Sequence, residues 1–436
     1  MTGSLAVWLV AIATHAGAEI ADSLANGSTA SAAKPAPLWV DRPLDRIEIE
    51  GLVRTRSEVV RRELWHRPGR PVDPSRLSDD RAHLLDLGIF AEVDLRVVRD
   101  STCDCPTLRV FVSERPTFYA LPTIDYDPEN KFSYGAVVNE SNLRGRDEEI
   151  LLEARAGGIR EVRLSDARRW IFGRRCGLGL SLYWTRAKKR TDLLRETRAG
   201  VSLALAPTKG RGRGVTINPG WEEAETEPYD ERSLATGRER DDHRWLGLGL
   251  FEDTRDYRLR ADHGRAVAVG VVRHGGPLGG DTDFWRWNAD LLGIVPTGGG
   301  SGLQFATRLL WSDGRVPRYL RSSLGGPSTL RGYAPGEFGG ESRWIGWVEE
   351  VVPLLERRTY TLRRLNRKLD VTIDGSLFVD AGSIWEGDDL ARGSARTHFG
   401  GGAGLRLLMP LVQLVRFELS TNGREVRVDG SGGIRF

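Results

Sequence analysis

The sequence predicts an all-β transmembrane barrel of about sixteen antiparallel strands, preceded by one small α+β domain. Three observations carry this. From Phe118 to Phe436 the helical period vanishes and short apolar/polar alternations replace it. Within those alternations the charges keep to one face. The chain ends on Ile434-Arg435-Phe436, with Val426, Val428, Ile434 and Phe436 on one face, as expected of a last strand that lies in lipid to its final residue.

Composition allows such a barrel and excludes several other classes. Hydrophobic residues make up 40% of 436, mean hydropathy is -0.35, and no run of about 18 apolar residues follows the N-terminus, so helical membrane spans are excluded. A spanning β-strand is half polar, so a barrel scores like a soluble chain. The 52 glycines and 13 tryptophans suit tight turns and interfacial girdles. Sixty-three basic residues against 60 acidic give +3, with no basic tract that would call for nucleic acid. Three cysteines rule out a disulfide-built scaffold, and Cys103-Asp104-Cys105 reads as two loop thiols open to oxidation.

Leu5 to Ala13 form a short apolar core followed by Ala16-Gly17-Ala18, which reads as a secretory signal peptide over residues 1–18. Residues 19–43 have no period and read as a linker. Order is expected from Leu44. Asp45 to Gly51 alternates as a strand ended by glycine. Ser57 to Trp65 carries Val59, Val60 and Leu64 at helical spacing, and Pro74 to Leu87 gives a second helix with proline in its first turn. Strands follow at Phe90 to Val98 and Thr107 to Val112, so residues 44–114 make a β-α-α-β-β domain. Either of these last two strands is expected to offer an open sheet edge.

At about 20 residues per strand and connection, residues 117–436 hold about sixteen strands. They are expected at 117–126, 131–141, 148–157, 160–170, 175–187, 196–206, 213–224, 243–253, 265–275, 282–292, 301–312, 343–354, 370–381, 398–409, 412–421 and 425–436. Late strands show the alternation best. Val371, Ile373, Leu377 and Val379 oppose Thr372, Asp374, Ser376 and Asp380. Val415, Phe417 and Leu419 oppose Arg416, Glu418 and Ser420. A Lys or Arg at the lipid midplane would cost about 2–4 kcal/mol, so this separation is what a barrel must show.

Four segments then resemble, in order, the BamA/TamA superfamily of outer-membrane assembly and secretion barrels. They are Asp253-Thr254-Arg255-Asp256 with Gly264, Gly325-Gly326-Pro327-Ser328-Thr329-Leu330-Arg331-Gly332-Tyr333, Phe378-Val379-Asp380-Ala381-Gly382, and Gly402-Ala403-Gly404-Leu405-Arg406 with Pro410. Residues 44–114 are similar to that family's periplasmic POTRA module. The resemblance implies an outer-membrane barrel with its N-terminal domain in the periplasm. It implies too that the segment ending in Arg331-Gly332-Tyr333 is the loop that folds back into the lumen, with Asp380 an inward aspartate. Two departures stand out: there is room for one POTRA module, and Glu349-Glu350-Val351-Val352-Pro353 lacks the arginine that many relatives carry in Glu-x-Arg-x-Pro.

From these residues two sites are expected. In the first, Arg331, flanked by Gly332 and Tyr333, meets Asp380 and Glu349 on the lumen sides of neighbouring strands. The second is a weak seam: Pro122 in the first strand lacks a ladder donor, and Gly430, Gly432 and Gly433 weaken the last strand before Phe436. Strands that part there would offer backbone groups to a client strand. The resemblance therefore implies insertion or translocation of unfolded client polypeptides, through the seam or through the lumen. Outer-membrane lipids surround the barrel, and accessory lipoproteins are a candidate partner class. A passive porin or adhesin is the alternative. Catalysis, cofactor and metal are not expected: His66, His83, His243, His263, His274 and His398 show no metal spacing, no nucleophile elbow or phosphate loop occurs, and the pair Asp241-Asp242 falls in an expected loop.

Overall fold

The computed structural model describes residues 42–99, 105–127, 130–189, 194–209, 212–227, 234–255, 261, 263–362, 367–390, 392–409 and 413–432. The expected signal peptide, nearly all of the expected linker, Cys103, Asp256, Pro410, Gly433 and Phe436 lie outside them. Cys105 is disulfide-bonded, and Cys176 is a free thiol.

In the N-terminal unit, β1 (Arg46–Glu50) leads into α1 (Ser57–Glu63), a 3-10 turn at Pro74–Arg76, α2 (Leu77–Leu85), β2 (Phe90–Arg99) and β3 (Pro106–Glu114). The Asp73 carboxylate accepts from the Ser75 N–H at 3.0 Å and Pro74 occupies the first position, which starts the second helical segment. Val59, Val60 and Leu64 around α1 and Leu84 and Leu85 of α2 are buried against Ile47, Phe90, Val93, Leu108 and Val110 of the sheet. Burying a side chain of this kind contributes about 1.5–3 kcal/mol, so this core accounts for the helical spacing read in the sequence. The strand order is β1-β3-β2, with β1 parallel to β3 and β2 antiparallel to it. One expectation is corrected here: Thr107 to Val112 is central and offers no edge. The two helices form the crossover that parallel pairing with β1 requires, and the β2–β3 hairpin covers the other side of β3. Of the two strands expected to be open, β2 alone is an edge.

The barrel comprises sixteen strands in one antiparallel sheet: β4 (Phe118–Asp127), β5 (Lys131–Glu140), β6 (Glu148–Gly157), β7 (Arg160–Arg168), β8 (Cys176–Lys189), β9 (Leu194–Pro207), β10 (Arg213–Glu227), β11 (Arg240–Asp253), β12 (Gly264–Gly275), β13 (Asp283–Gly298), β14 (Ser301–Arg315), β17 (Ser342–Leu362), β18 (Arg367–Trp385), β19 (Thr397–Met409), β20 (Gln413–Thr421) and β21 (Val426–Gly432). Each of the sixteen expected segments overlaps one of them. Two short strands, β15 (Ser322–Leu324) and β16 (Phe338–Gly340), pair with each other inside the β14–β17 connection. At three residues each they are too short to leave an alternation in the sequence. Strands β17 and β18 run well past their expected ends, their register continuing to Leu362 opposite Arg367 through two bulges.

Alternation along the strands sorts side chains as a membrane barrel demands. Leu377 and Val379 are 66% and 63% exposed on the outside, while Phe378 between them is 4% exposed and Asp374 and Asp380 of the same strand are 1% exposed. Phe417 and Leu419 face out, whereas Glu418 and Ser420 are buried inside. Asp241 and Asp242 also prove to be strand residues, correcting the loop expected there: β11 starts before them. Asp241 is fully buried and accepts from the Ala235 and Thr236 N–H groups at 2.6 and 3.2 Å, anchoring the chain just ahead of β11. The sheet order ends on β4 and β21, and among the described residues no ladder joins them.

Candidate functional site

The β14–β17 connection returns into the barrel, and its tip is held by inward side chains of β17, β18 and β20. Thr329 ties the turn by accepting from the Gly325 N–H at 2.9 Å and donating to the Gly325 carbonyl at 2.8 Å. Leu324 and Leu330 are fully buried beside Ile345 and Trp347, with Tyr333 and Phe338 packed against that cluster. Water is thereby kept from the tip, which strengthens every polar interaction made there.

Arg331 is 0% exposed. Its Nη2 donates to Asp380 Oδ1 at 2.7 Å, its Nε to Asp380 Oδ2 at 2.9 Å, and its own backbone N–H to the same Oδ2 at 3.1 Å. Nη1 donates to Glu349 Oε2 at 3.1 Å and to Glu418 Oε1 at 2.9 Å. The guanidinium lies over the Phe378 ring, 3.3 Å from its centroid. One arginine thus joins β17 through Glu349, β18 through Asp380 and Phe378, and β20 through Glu418. Arg406 of β19 completes the set, pairing with Glu349 Oε1 at 2.7 Å. Glu349 therefore has two cationic partners although position 351 is a valine. A buried ion is tolerated only when its hydrogen-bonding capacity is met, and a planar fork of donors meets three carboxylates as a lysine ammonium cannot.

Two glycines make the approach possible. Gly332 has φ +89°, and a Cβ there would sit 2.7 Å from the Thr421 carbonyl carbon and oxygen. A Cβ on Gly400 of β19, directly across from Asp380, would sit 2.0 Å from the Arg331 carbonyl oxygen. Tyr333 donates from its hydroxyl to the Phe399 carbonyl at 3.2 Å and packs edge-on to Phe338 and His398.

Arg331, Asp380 and Glu349 are therefore brought together, with Gly332 and Tyr333 beside them. Glu418, Arg406 and Phe378 join them, although none of the three was expected as part of the Arg331 site. The sequence had placed Glu418 on a polar face and Arg406 in a segment like the family's, and only the register brings them level with the tip. The seam residues lie elsewhere. Pro122 is exposed on β4 and Gly430 is exposed on β21, where Gly432 opposite Val415 ends the described ladder. Lock and seam are nonetheless close in the sheet, because Glu418 pairs across to Asp429 of β21. Among the described residues no group of three or more His, Cys, Asp or Glu side chains is arranged to hold a metal ion.

The Omp85 superfamily domain matches residues 142–436, and the POTRA family, described as a surface antigen variable number repeat, matches residues 43–115. The outer membrane protein assembly factor BamA of Nitratidesulfovibrio vulgaris is 23% identical over 298 residues, covering 66% of this chain; the chain spans 37% of that relative's length. Among solved structures, BamA from Haemophilus ducreyi lacking POTRA domains 1–3 superposes with a TM-score of 0.61 at 15% identity, over 89% of this chain and 83% of that one. CdiB from Escherichia coli gives 0.61 at 14% identity, over 90% and 75%. At such identities the likeness is one of fold. The match over most of the barrel settles membership: the chain belongs to the Omp85 superfamily, as an outer-membrane β-barrel with an N-terminal periplasmic POTRA domain.

Proposed function

We propose that this chain inserts polypeptides into the outer membrane or passes them across it, acting on unfolded clients, with accessory lipoproteins as candidate helpers. The observation that carries the reading is the Arg331 lock. A passive pore has no need to fasten a lumen loop through one arginine to three strands, the last of which, β20, is the sole described partner of the end strand β21. The reading is supported further by the assembly role in the name of the Nitratidesulfovibrio relative.

The preferred route is the seam. Pro122 deprives β4 of a ladder donor, and Gly430 and Gly432 leave β21 with little side-chain packing, so both end strands hold weakly. Client strands would pair with the backbone groups these strands expose. Cysteines placed in residues 117–126 and 425–433 test it. Crosslinking is expected to stop client handling in proteoliposomes while the barrel stays folded by heat-modifiable migration. Full activity with a locked seam would move transport into the lumen. Absence of client handling by the unmodified protein, supplied with its periplasmic helpers and with both barrel and secreted clients, would leave a passive barrel.

A further inference from the structure

The β14–β17 connection is held a second time, close to where it leaves the wall. Val316, Tyr319 and Leu320 are 3%, 1% and 4% exposed and pack with Ala224, Leu234 and Phe284. The Tyr319 ring has the Arg198 guanidinium 5.8 Å from its centroid and His243 edge-on at 6.3 Å. Beneath it runs a belt that takes one residue from each of six consecutive strands. Tyr183 of β8 donates to Glu222 Oε2 at 2.6 Å. Arg198 of β9 forks onto Glu222 of β10, Nη2 to Oε1 at 2.7 Å and Nε to Oε2 at 3.0 Å. His243 of β11 bonds Glu222 Oε1 through Nδ1 at 3.0 Å and His274 of β12 through Nε2 at 2.8 Å. His274 stacks on Phe284 of β13 at 4.1 Å between centroids. The stem backbone is also gripped: Arg286 donates to the Leu320 carbonyl at 2.9 Å and Arg343 to the Ser323 carbonyl at 2.7 Å.

Resting on the polypeptide-handling reading, we propose that Tyr319, seated on the Arg198–Glu222–His243–His274 belt, is a second anchor that keeps the loop stem in the lumen when the Arg331 tip lets go. Among the described residues the two fastenings share no side chain. The tip is held by β17, β18 and β20, while the ring is held by β9 to β13. They differ in kind as well. The tip is an ionic contact that a competing charged segment can displace. The stem is an aromatic ring buried among apolar side chains over a charge pair already satisfied within the wall, so it offers a competitor nothing to exchange. The tip therefore acts as a latch and the stem as the pivot about which the loop swings, and losing the latch alone does not empty the lumen.

Tyr319 is thus a positioning residue, and the full chain in planar bilayers tests it through ionic conductance. Arg331→Ala is expected to flicker with modestly raised conductance, and Tyr319→Ala to stay near wild type because the latch still holds. The double variant is expected to conduct at least about tenfold more than either single, beyond the product of their effects, since two separate constraints are then lost. Tyr319→Phe combined with Arg331→Ala is expected to return to the Arg331→Ala level, because the ring and not the hydroxyl is seated. A double variant that conducts like Arg331→Ala alone overturns the proposal, as does a Phe variant that fails to rescue. If the double variant does not fold, Tyr319→Ala with Arg331→Lys is compared with Arg331→Lys alone: a rise in conductance beyond the product of the two single effects supports the second anchor, and a level equal to Arg331→Lys overturns it. No client is needed for this readout, so a failed anchor and a failed polypeptide-handling reading are told apart.

Discussion

Arg331 and Asp380 are joined by two parallel side-chain hydrogen bonds of 2.7 and 2.9 Å, and a third bond runs from the Arg331 backbone to the same carboxylate. Removing one partner of a buried pair costs about 3–5 kcal/mol because the other charge is left uncompensated. Arg331→Ala and Asp380→Ala should each lower the unfolding free energy of the detergent-folded barrel by that order, read from denaturant titration. Arg331→Ala is the worse of the two, since Asp380, Glu349 and Glu418 all lose a partner while Asp380→Ala leaves the arginine two carboxylates. Arg331→Lys rescues partly. In the double-mutant cycle the combined loss is no greater than that of the Arg331→Ala single; additive losses would show that the two residues do not act as a pair.

Gly400 carries no charge, yet its substitution should undo the same lock. An alanine Cβ would stand 2.0 Å from the Arg331 carbonyl oxygen, a backbone atom that cannot move aside without lifting the tip. Gly400→Ala is therefore expected to expose the loop to trypsin at Arg331 much as loss of Asp380 does. Gly401→Ala, whose Cβ would meet nothing closer than 3.3 Å, should leave cleavage unchanged. Equal protection in all three would mean that the tip does not depend on close approach at β19.

Sequence parity told which face a residue occupies but not its height in the barrel, and this divides what was legible from what was not. Asp380 was placed on the polar face by alternation, whereas Glu349 and the Arg-Gly-Tyr loop tip were marked by the resemblance to the family's segments. Glu418 sits on an inward face by the same alternation, but its meeting with Arg331, 87 positions away, depends on the stagger of four strands. His243 and His274 looked scattered because they are 31 residues apart, and the register of β11 on β12 puts their rings 2.8 Å from each other at the nitrogens. The central position of β3 was hidden for a related reason: an alternating run shows a strand, while its neighbours are set by the crossover that precedes it.

For the POTRA domain the corrected topology sharpens the place where an extended client segment would add. β2 presents ten residues at one edge and β1 only five at the other, so β2 is the longer strand edge along which such a segment can pair. A photocrosslinking residue at Arg96 is expected to capture client segments well above one at Glu48. Equal capture would remove the preference. Client transport unchanged after deletion of residues 44–114 would reduce the domain to a spacer.

Glu114, at the end of β3, gives that domain an acid-sensitive joint. Its carboxylate accepts the Val53, Arg54 and Thr55 N–H groups at 3.0, 3.0 and 2.8 Å, closing the stretch between β1 and α1. Partial burial pushes its pKa up, but the three backbone donors, Thr55 first among them, outweigh it and hold the group below the usual glutamate value. A carboxyl group with a depressed folded pKa stabilises the fold above its unfolded pKa of about 4.3 and loses that contribution as pH falls through the folded value. In the full chain, resistance of residues 44–114 to proteolysis in urea should accordingly stay level from pH 7 to about pH 5 and decline below about pH 4. Glu114→Gln keeps the side-chain length but turns an amide N–H toward backbone donors. It should therefore be less resistant at neutral pH and lack the part of the acid decline that belongs to this carboxylate. Parallel curves for the two proteins, offset or not, would show that the decline comes from other carboxylates.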